Sequence, residues 1–433
     1  MFSIKHYISI VFSIIIILYI LISFKADISD NYIVLWQVIS IIIFLFTFHI
    51  GKKVNIKHIL LLVFIYQILF SYLLFSHYLI NLNDSFGYNA VDSKLYSDIA
   101  KISRNLTFED TIKYISLYLD DYSDLGYPIY LKYIYFLGNG DIVVSSSLLI
   151  ITNCFWQLLT TIITYKLSCK IIGHKKSKYV ALLWGLNTCS VFLNSSGLKE
   201  PVFSFLCMTT MWYIYKLKYN KNLTNIIFTT LLIISTFFFR YYVSLFFIII
   251  VMGFVIFPYF YNKFFKTFII TSIIICLFLT SLLAIYMPEI YNAINRTQEM
   301  YKESGIIYQF MTYILAFISP IPKFFEFKTP QSLIMLTYSI IKFYFSIFGI
   351  VAAYQIMKYK RELFYPLITI SLFQILLLIV SGRAVDYRYA YITMPCFFIL
   401  IVEGIYICKN KYIVYSYLLF ASLIVIMFNL RDL

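Results

Sequence analysis

Apolar runs long enough to cross a bilayer recur from one end of this chain to the other, and no other feature constrains its fold as tightly. A helix rises about 1.5 Å per residue, so roughly 18–25 apolar residues span a hydrocarbon core of about 30 Å. About thirteen such runs are legible: 7–24, 32–50, 58–80, 142–165, 179–195, 201–217, 223–239, 243–260, 264–286, 333–356, 363–380, 389–407 and 412–429. The stretches 127–137 and 306–322 are also apolar but short and interrupted. With 61% hydrophobic and 13% charged residues, a soluble globule of 433 residues could not cover its own apolar surface. The expected fold is all-α, a polytopic integral membrane protein.

The net charge of +15 raises the question of nucleic acid, and its distribution answers it. The cations cluster in alternate loops: Lys52, Lys53 and Lys57; Lys175, Lys176 and Lys178; Lys216, Lys218 and Lys221; Lys263 and Lys266; Lys358, Lys360 and Arg361; Lys409 and Lys411. That is the positive-inside pattern. It makes those loops and the N-terminus cytoplasmic, puts Arg431-Asp432-Leu433 outside, and calls for a multi-pass cell-membrane protein with no nucleic-acid partner. The carboxylates were not needed for this assignment and agree with it. Of the twenty, Glu362 falls in an inner loop, Glu403 near the inner end of a span, and the rest at or beyond the outer surface.

The first run is followed by Phe24-Lys25-Ala26-Asp27 and not by a small-residue cleavage site, so it reads as an anchor. The seven cysteines lie in or beside apolar spans without metal-ligand spacing and read as small buried hydrophobes. The abundance of Ile, Lys, Asn, Phe and Tyr fits an AT-rich bacterial gene.

Against this background the polar loop from Asn81 to Pro128 stands apart. It carries Asp84, Asp92, Asp98, Glu109, Asp110, Asp120, Asp121 and Asp124, eight of the twenty carboxylates, and falls on the outer face. Helix-like apolar spacing over 96–102 and 108–119 predicts short amphipathic helices lying on the membrane surface. A second outer elaboration, 287–332, contains Ser319-Pro320-Ile321-Pro322, whose prolines end a helix and suggest a re-entrant or interfacial piece.

Ionisable groups at span edges are costly unless paired or used. On the outer side these are Asp92, Lys199, Glu200, Arg240, Arg383, Asp386 and Arg388, several of them flanked by aromatics. Arginine pairs bidentately with phosphate, and aromatic faces suit sugar rings or lipid tails. A carboxylate that takes a proton from an acceptor hydroxyl, with cations stabilising a departing phosphate, describes group transfer from a lipid-linked phosphate. Each residue also has a plainer reading. Arg240 suits a snorkelling anchor, Lys199-Glu200-Pro201 a helix start, Arg383, Asp386 and Arg388 a loop salt-bridge set, and Asp120, Asp121 and Asp124 a solvated charge run. His58, His77 and His174 show no ligand spacing.

The segment Asp92-Ser93-Lys94-Leu95-Tyr96-Ser97-Asp98-Ile99-Ala100 resembles the Asp-x-x-x-Tyr-x-x-x-Ala signature in the first outer loop of GT-C glycosyltransferases, notably the PMT and aminoarabinose-transferase branch. Gly126-Tyr127-Pro128-Ile129-Tyr130-Leu131 is similar to that branch's loop exit, with Phe136-Leu137-Gly138 and Lys170-Ile171-Ile172-Gly173 beyond it. Asn194 to Glu200 resembles a segment that often carries a Lys-Asp or Lys-Glu pair, and Arg388-Tyr389 to Pro395 an Arg-Tyr near the last helices. The likeness covers roughly 58–260 and 380–405. This chain has Asp92-Ser93 where that branch often has Asp-Glu, and two extra spans precede the motif-bearing loop.

The resemblance implies two extra N-terminal helices over 1–57, a GT-C-like catalytic module over 58–260 with its outer loop at 81–126, and C-terminal helices over 261–433. It implies inverting transfer of a sugar from a polyprenyl-phosphate-linked donor to a glycan or glycolipid acceptor at the outer face. Asp92 is then the base. Tyr96, Asp98, Asp124, Tyr127, Lys199, Glu200, Arg240, Arg383 and Arg388 are the substrate-contacting candidates. A divalent metal would suit paired carboxylates, but no spacing demands one. Two other readings stay open at this point. A repeat-unit polymerase of the O-antigen type, using undecaprenyl-diphosphate-linked glycan, shares the span number and outer arginines. A lipid-linked oligosaccharide flippase would predict internal repeats and mid-span charges.

Overall fold

The computed structural model describes residues 54–87, 91–118, 124–256, 318, 321–322, 330–380, 387–408 and 411–430. The expected spans 7–24, 32–50 and 264–286, most of the outer segment 287–332, and Arg383 and Asp386 lie outside the described residues. The described residues form helices and no strand.

Helix α1 (Ile56–His77) continues as a π-turn over Tyr78–Leu82, and α2 (Val91–Ser103), α3 (Phe108–Tyr118) and α4 (Gly126–Leu137) come after it. Next in the chain are α5 (Ile142–Ile172), α6 (His174–Gly185), α7 (Thr188–Ser195), α8 (Glu200–Tyr219), α9 (Leu223–Phe237) and α10 (Tyr241–Ile250) with a π-helical extension to Ile256. After the segment not described come α11 (Pro330–Lys358), α12 (Tyr365–Val380), α13 (Tyr387–Tyr391), α14 (Met394–Ile407) and α15 (Lys411–Leu430).

Four stretches are long and apolar enough to cross a membrane: Ile56–Leu82, Ile142–Ile172, Met335–Lys358 and Tyr412–Asn429. Each matches an expected run. Their starts are chemical. The Asn55 side chain accepts from the Lys57 N–H at 3.2 Å, and Asp141 accepts from the Val144 N–H at 2.8 Å. Such caps satisfy backbone donors that a helix start leaves unpaired. Helix α5 ends at Gly173, whose φ of +83° takes the chain out of the helix with little strain.

Two expected spans are broken. The run 179–195 is two helices, because Asn187 turns its side chain back to accept from the Cys189 N–H at 2.9 Å and starts α7 afresh. The run 389–407 is likewise split at Ile392-Thr393, just before Pro395 starts α14. In both places the window is apolar overall, so periodicity alone does not mark the break. The two short helices expected in the acidic loop are present as α2 and α3.

The bundle centre is formed by α5, α6, α11 and α14. Helix α5 packs on α1, α6 and α8, while α14 packs on α6, α11 and α12. The α11–α14 crossing is close enough that a Cβ at Gly404 would overlap the Phe348 carbonyl oxygen. At Gly185, a Cβ would collide with the Val63 side chain of α1. Trp184, Phe203, Phe247, Tyr338 and Tyr391 fill the space between.

Candidate functional site

Helix α2 sets one face of a charged group. Asp92 and Tyr96 are one turn apart, so they share a face. The Ser93 hydroxyl donates to the Ser196 carbonyl at 2.5 Å, which holds α2 against the α7–α8 turn. The Tyr96 hydroxyl donates to Asp124 Oδ2 at 3.0 Å, and the other Asp124 oxygen is ion-paired with Lys199. The Lys199 ammonium also lies 5.7 Å from the centre of the Tyr96 ring.

Asp124 is placed by its C-terminal neighbours. The Gly126 N–H donates to the Phe238 carbonyl at 2.9 Å, and a Cβ at Gly126 would press on the Phe239 ring and that carbonyl. The Tyr127 hydroxyl donates to the Gly197 carbonyl at 2.6 Å. Gly197 has a φ of +66°, a conformation that lets the chain turn from α7 into Leu198-Lys199-Glu200. The start of α4, the α9–α10 turn and the α7–α8 turn are thereby stitched together.

Glu200 opens α8 and Arg240 precedes α10. Arg240 Nη2 lies 3.6 Å from Glu200 Oε1, and Arg240 Nη1 donates to the Tyr242 hydroxyl at 2.5 Å. The Glu200 side chain is 2% exposed, and its second oxygen, Oε2, has no hydrogen-bond partner among the described residues. At the rim, Arg388 Nη1 donates to Asp92 Oδ2 at 2.9 Å, joining α13 to α2 across almost the whole sequence. Asp92 is the most open of the three acids, at 54% exposed.

Among the described residues, three carboxylates (Asp92, Asp124, Glu200) thus meet three cations (Lys199, Arg240, Arg388) in one group. Burial, and then the neighbouring Arg240, pull the Lys199 ammonium below its usual value, while Asp124 pulls it back up. Burial raises the Tyr96 phenol far above its usual range, and the Asp124 carboxylate raises it further. Tyr96 is therefore a donor that stays protonated.

Of the expected site residues, Asp92, Tyr96, Asp124, Tyr127, Lys199, Glu200, Arg240 and Arg388 are brought together. Asp98 is not. It is exposed on another face of α2, within electrostatic reach of Tyr114 and Tyr135. Two residues beyond Tyr96 on a helix is a turn of about 200°, which takes it away from the group. Arg383 lies outside the described residues. Sequence reasoning did not single out Ser93 and Ser196, because small hydroxyls carry no signal until the two turns are seen to touch. A surface hollow of about 350 Å³, lined by Arg104, Asn105, Phe136, Leu137 and Asn139, contains none of the group. Among the described residues no cluster of three or more His, Cys, Asp or Glu is placed to hold a metal ion.

A second charged group lies beyond the other end of the central helices. Glu403, near the end of α14, accepts from Lys176 at 2.6 Å through one oxygen and from Arg361 at 2.5 Å through the other. Lys178 donates to the Val54 carbonyl at 2.8 Å. The lysine-rich loops before α1, at α6 and after α11 therefore gather at one end.

No family model matches this chain, and neither a curated protein nor a solved structure does.

Proposed function

We propose that this chain is an integral-membrane glycosyltransferase that moves a sugar from a polyprenyl-phosphate-linked donor to a glycan or glycolipid acceptor at the outer face of a bacterial cell membrane. The finer architecture proposed with it is about thirteen transmembrane helices in a GT-C-like arrangement. The lysine-rich end that holds Glu403 would face the cytoplasm by the positive-inside rule. One observation carries the reading. Ionisable residues from five separate segments converge on a single group that holds an open carboxylate and three cations.

In this reading Asp92 takes the proton from the acceptor hydroxyl as its oxygen attacks the anomeric carbon. The bond from that carbon to the donor phosphate oxygen breaks, and the electron pair leaves with the phosphate. Lys199, Arg240 and Arg388 supply the positive charge that stabilises it. Because each of these cations is paired with a carboxylate, a phosphate has to compete with the carboxylates for them. Arg388 is the cation best placed to exchange, since turning to phosphate would release Asp92 to act as the base.

The test is transfer of radiolabelled sugar from a panel of polyprenyl-phosphate donors in membranes holding equal amounts of protein. Asp92→Asn should lower transfer by about 10²–10⁴-fold. Full activity in that variant sinks the base assignment, and no transfer by the wild type from any donor sinks the glycosyltransferase reading. Accumulation of a single-repeat, diphosphate-linked glycan in a deletion strain would point to the polymerase instead.

A further inference from the structure

A different polar set lies inside the bundle, where α6 breaks into α7. Lys342, on α11, is buried, at 4% exposed. Among the described residues its ammonium makes no ion pair or hydrogen bond, and the group that acts on it is the Cys189 thiol. No carboxylate of the described residues does so. A buried ammonium without a counter-charge costs several kcal/mol.

Helix α11 packs on α7, and the α6–α7 break has the same deficiency. Tyr338 stands one turn before Lys342 on α11 and also faces Cys189. Asn187 and Thr188 form the start of α7, immediately before Cys189. The Tyr338 hydroxyl, Asn187 Nδ2, Thr188 Oγ1 and Trp184 Nε1 are all buried with no hydrogen-bond partner. Lysine, an amide NH2 and an indole N–H can only donate, and hydroxyls can donate as well. The α7 N-terminus adds the positive end of a helix dipole on the same side. Water could satisfy these donors but would leave the charge standing. A species that only accepts and carries one negative charge resolves both.

We propose that one monovalent anion of halide type binds at the α6–α7 break, held by Lys342, Tyr338 and Asn187. A multiply charged oxyanion would replace a buried positive charge with a buried negative one, so the single cation selects for single charge. The proposal does not depend on the glycosyltransferase reading.

Equilibrium dialysis of the purified full chain in detergent against ³⁶Cl⁻, with gluconate as the replacement anion, tests this. The wild type should retain one chloride per chain, displaced by bromide and not by phosphate at equal concentration. Lys342→Met should weaken retention by at least about ten-fold, and Lys342→Arg should keep it. Tyr338→Phe removes one donor with little change of shape, so it keeps the test open if Lys342→Met fails to fold; it should weaken retention about three- to ten-fold. Three results would each overturn the proposal: no chloride on the wild type, undiminished retention in both Lys342→Met and Tyr338→Phe, or displacement by phosphate.

Discussion

Glu403 and Asp92 are both carboxylates held by arginine, and they stand in opposite electrostatic situations. Glu403 is 2% exposed and uses both oxygens on two cations that reach in from partly exposed loops. Neither of its oxygens is left over for another partner. Asp92 is 54% exposed, is held through one oxygen, and belongs to a group whose deeper carboxylate, Glu200, has an orphaned oxygen. The same residue types make a closed clamp at one end and an exchangeable set at the other. Burial and partner count decide which, and the identity of the charges does not.

Variants can break or sharpen that contrast. The largest effect is expected at the clamp. Replacing both Lys176 and Arg361 with Met strands the Glu403 carboxylate, which should cost about 3–5 kcal/mol of stability. Thermal unfolding in lipid nanodiscs measures it, and transfer per folded molecule should be unchanged. At the other end Asp124→Asn leaves the Lys199 ammonium, 6% exposed, without its charged partner. The expected loss is about 2 kcal/mol, at the low end for a buried pair because Asp124 is itself partly open. A loss as large as the clamp's would mean the two groups are equally closed.

Arg388→Gln should cost no more than about 1 kcal/mol, as for other solvent-accessible pairs. Its effect should fall on transfer, read as a rate at equal folded protein. If it unfolds the protein, the exchangeable character assigned to the rim pair is wrong. The smallest effect is one of pH. The Lys199 value lies below its usual 10.5, so the cation is lost from the folded state at lower pH than from the unfolded chain. The destabilising charge burial is present below the folded value and is relieved as pH rises through it towards 10.5. The proposed transfer, in which Lys199 serves as a cation, should show an alkaline limb over that window, and Lys199→Arg should remove it.

Much of this was legible in the sequence, for reasons particular residues make plain. Helices α1, α5, α11 and α15 track apolar runs that admit one reading. The members of the outer group were visible because a charge at the edge of an apolar run is conspicuous at Lys199, Arg240 and Arg388. The break at Asn187 was hidden, since one polar residue among several looks like any other until its side chain is seen to cap Cys189; at Thr393 the side chain makes no cap and turns back to the Ala390 carbonyl. Asp98 falls on another face of α2 than Asp92 and Tyr96, which a motif, showing spacing without face, does not reveal. Lys342 was passed over although it interrupts the run 333–356, because attention to span edges misses a charge at depth.

The absent side chain at Gly404 has a kinematic consequence. At Gly404 the α14 backbone lies directly against the Phe348 carbonyl, so at that point no side chain acts as a bearing between α11 and α14. Neither can roll or ratchet past the other without lifting away. A change of partner at Arg388 would therefore leave this crossing in place, α14 serving as a fixed post beneath α13.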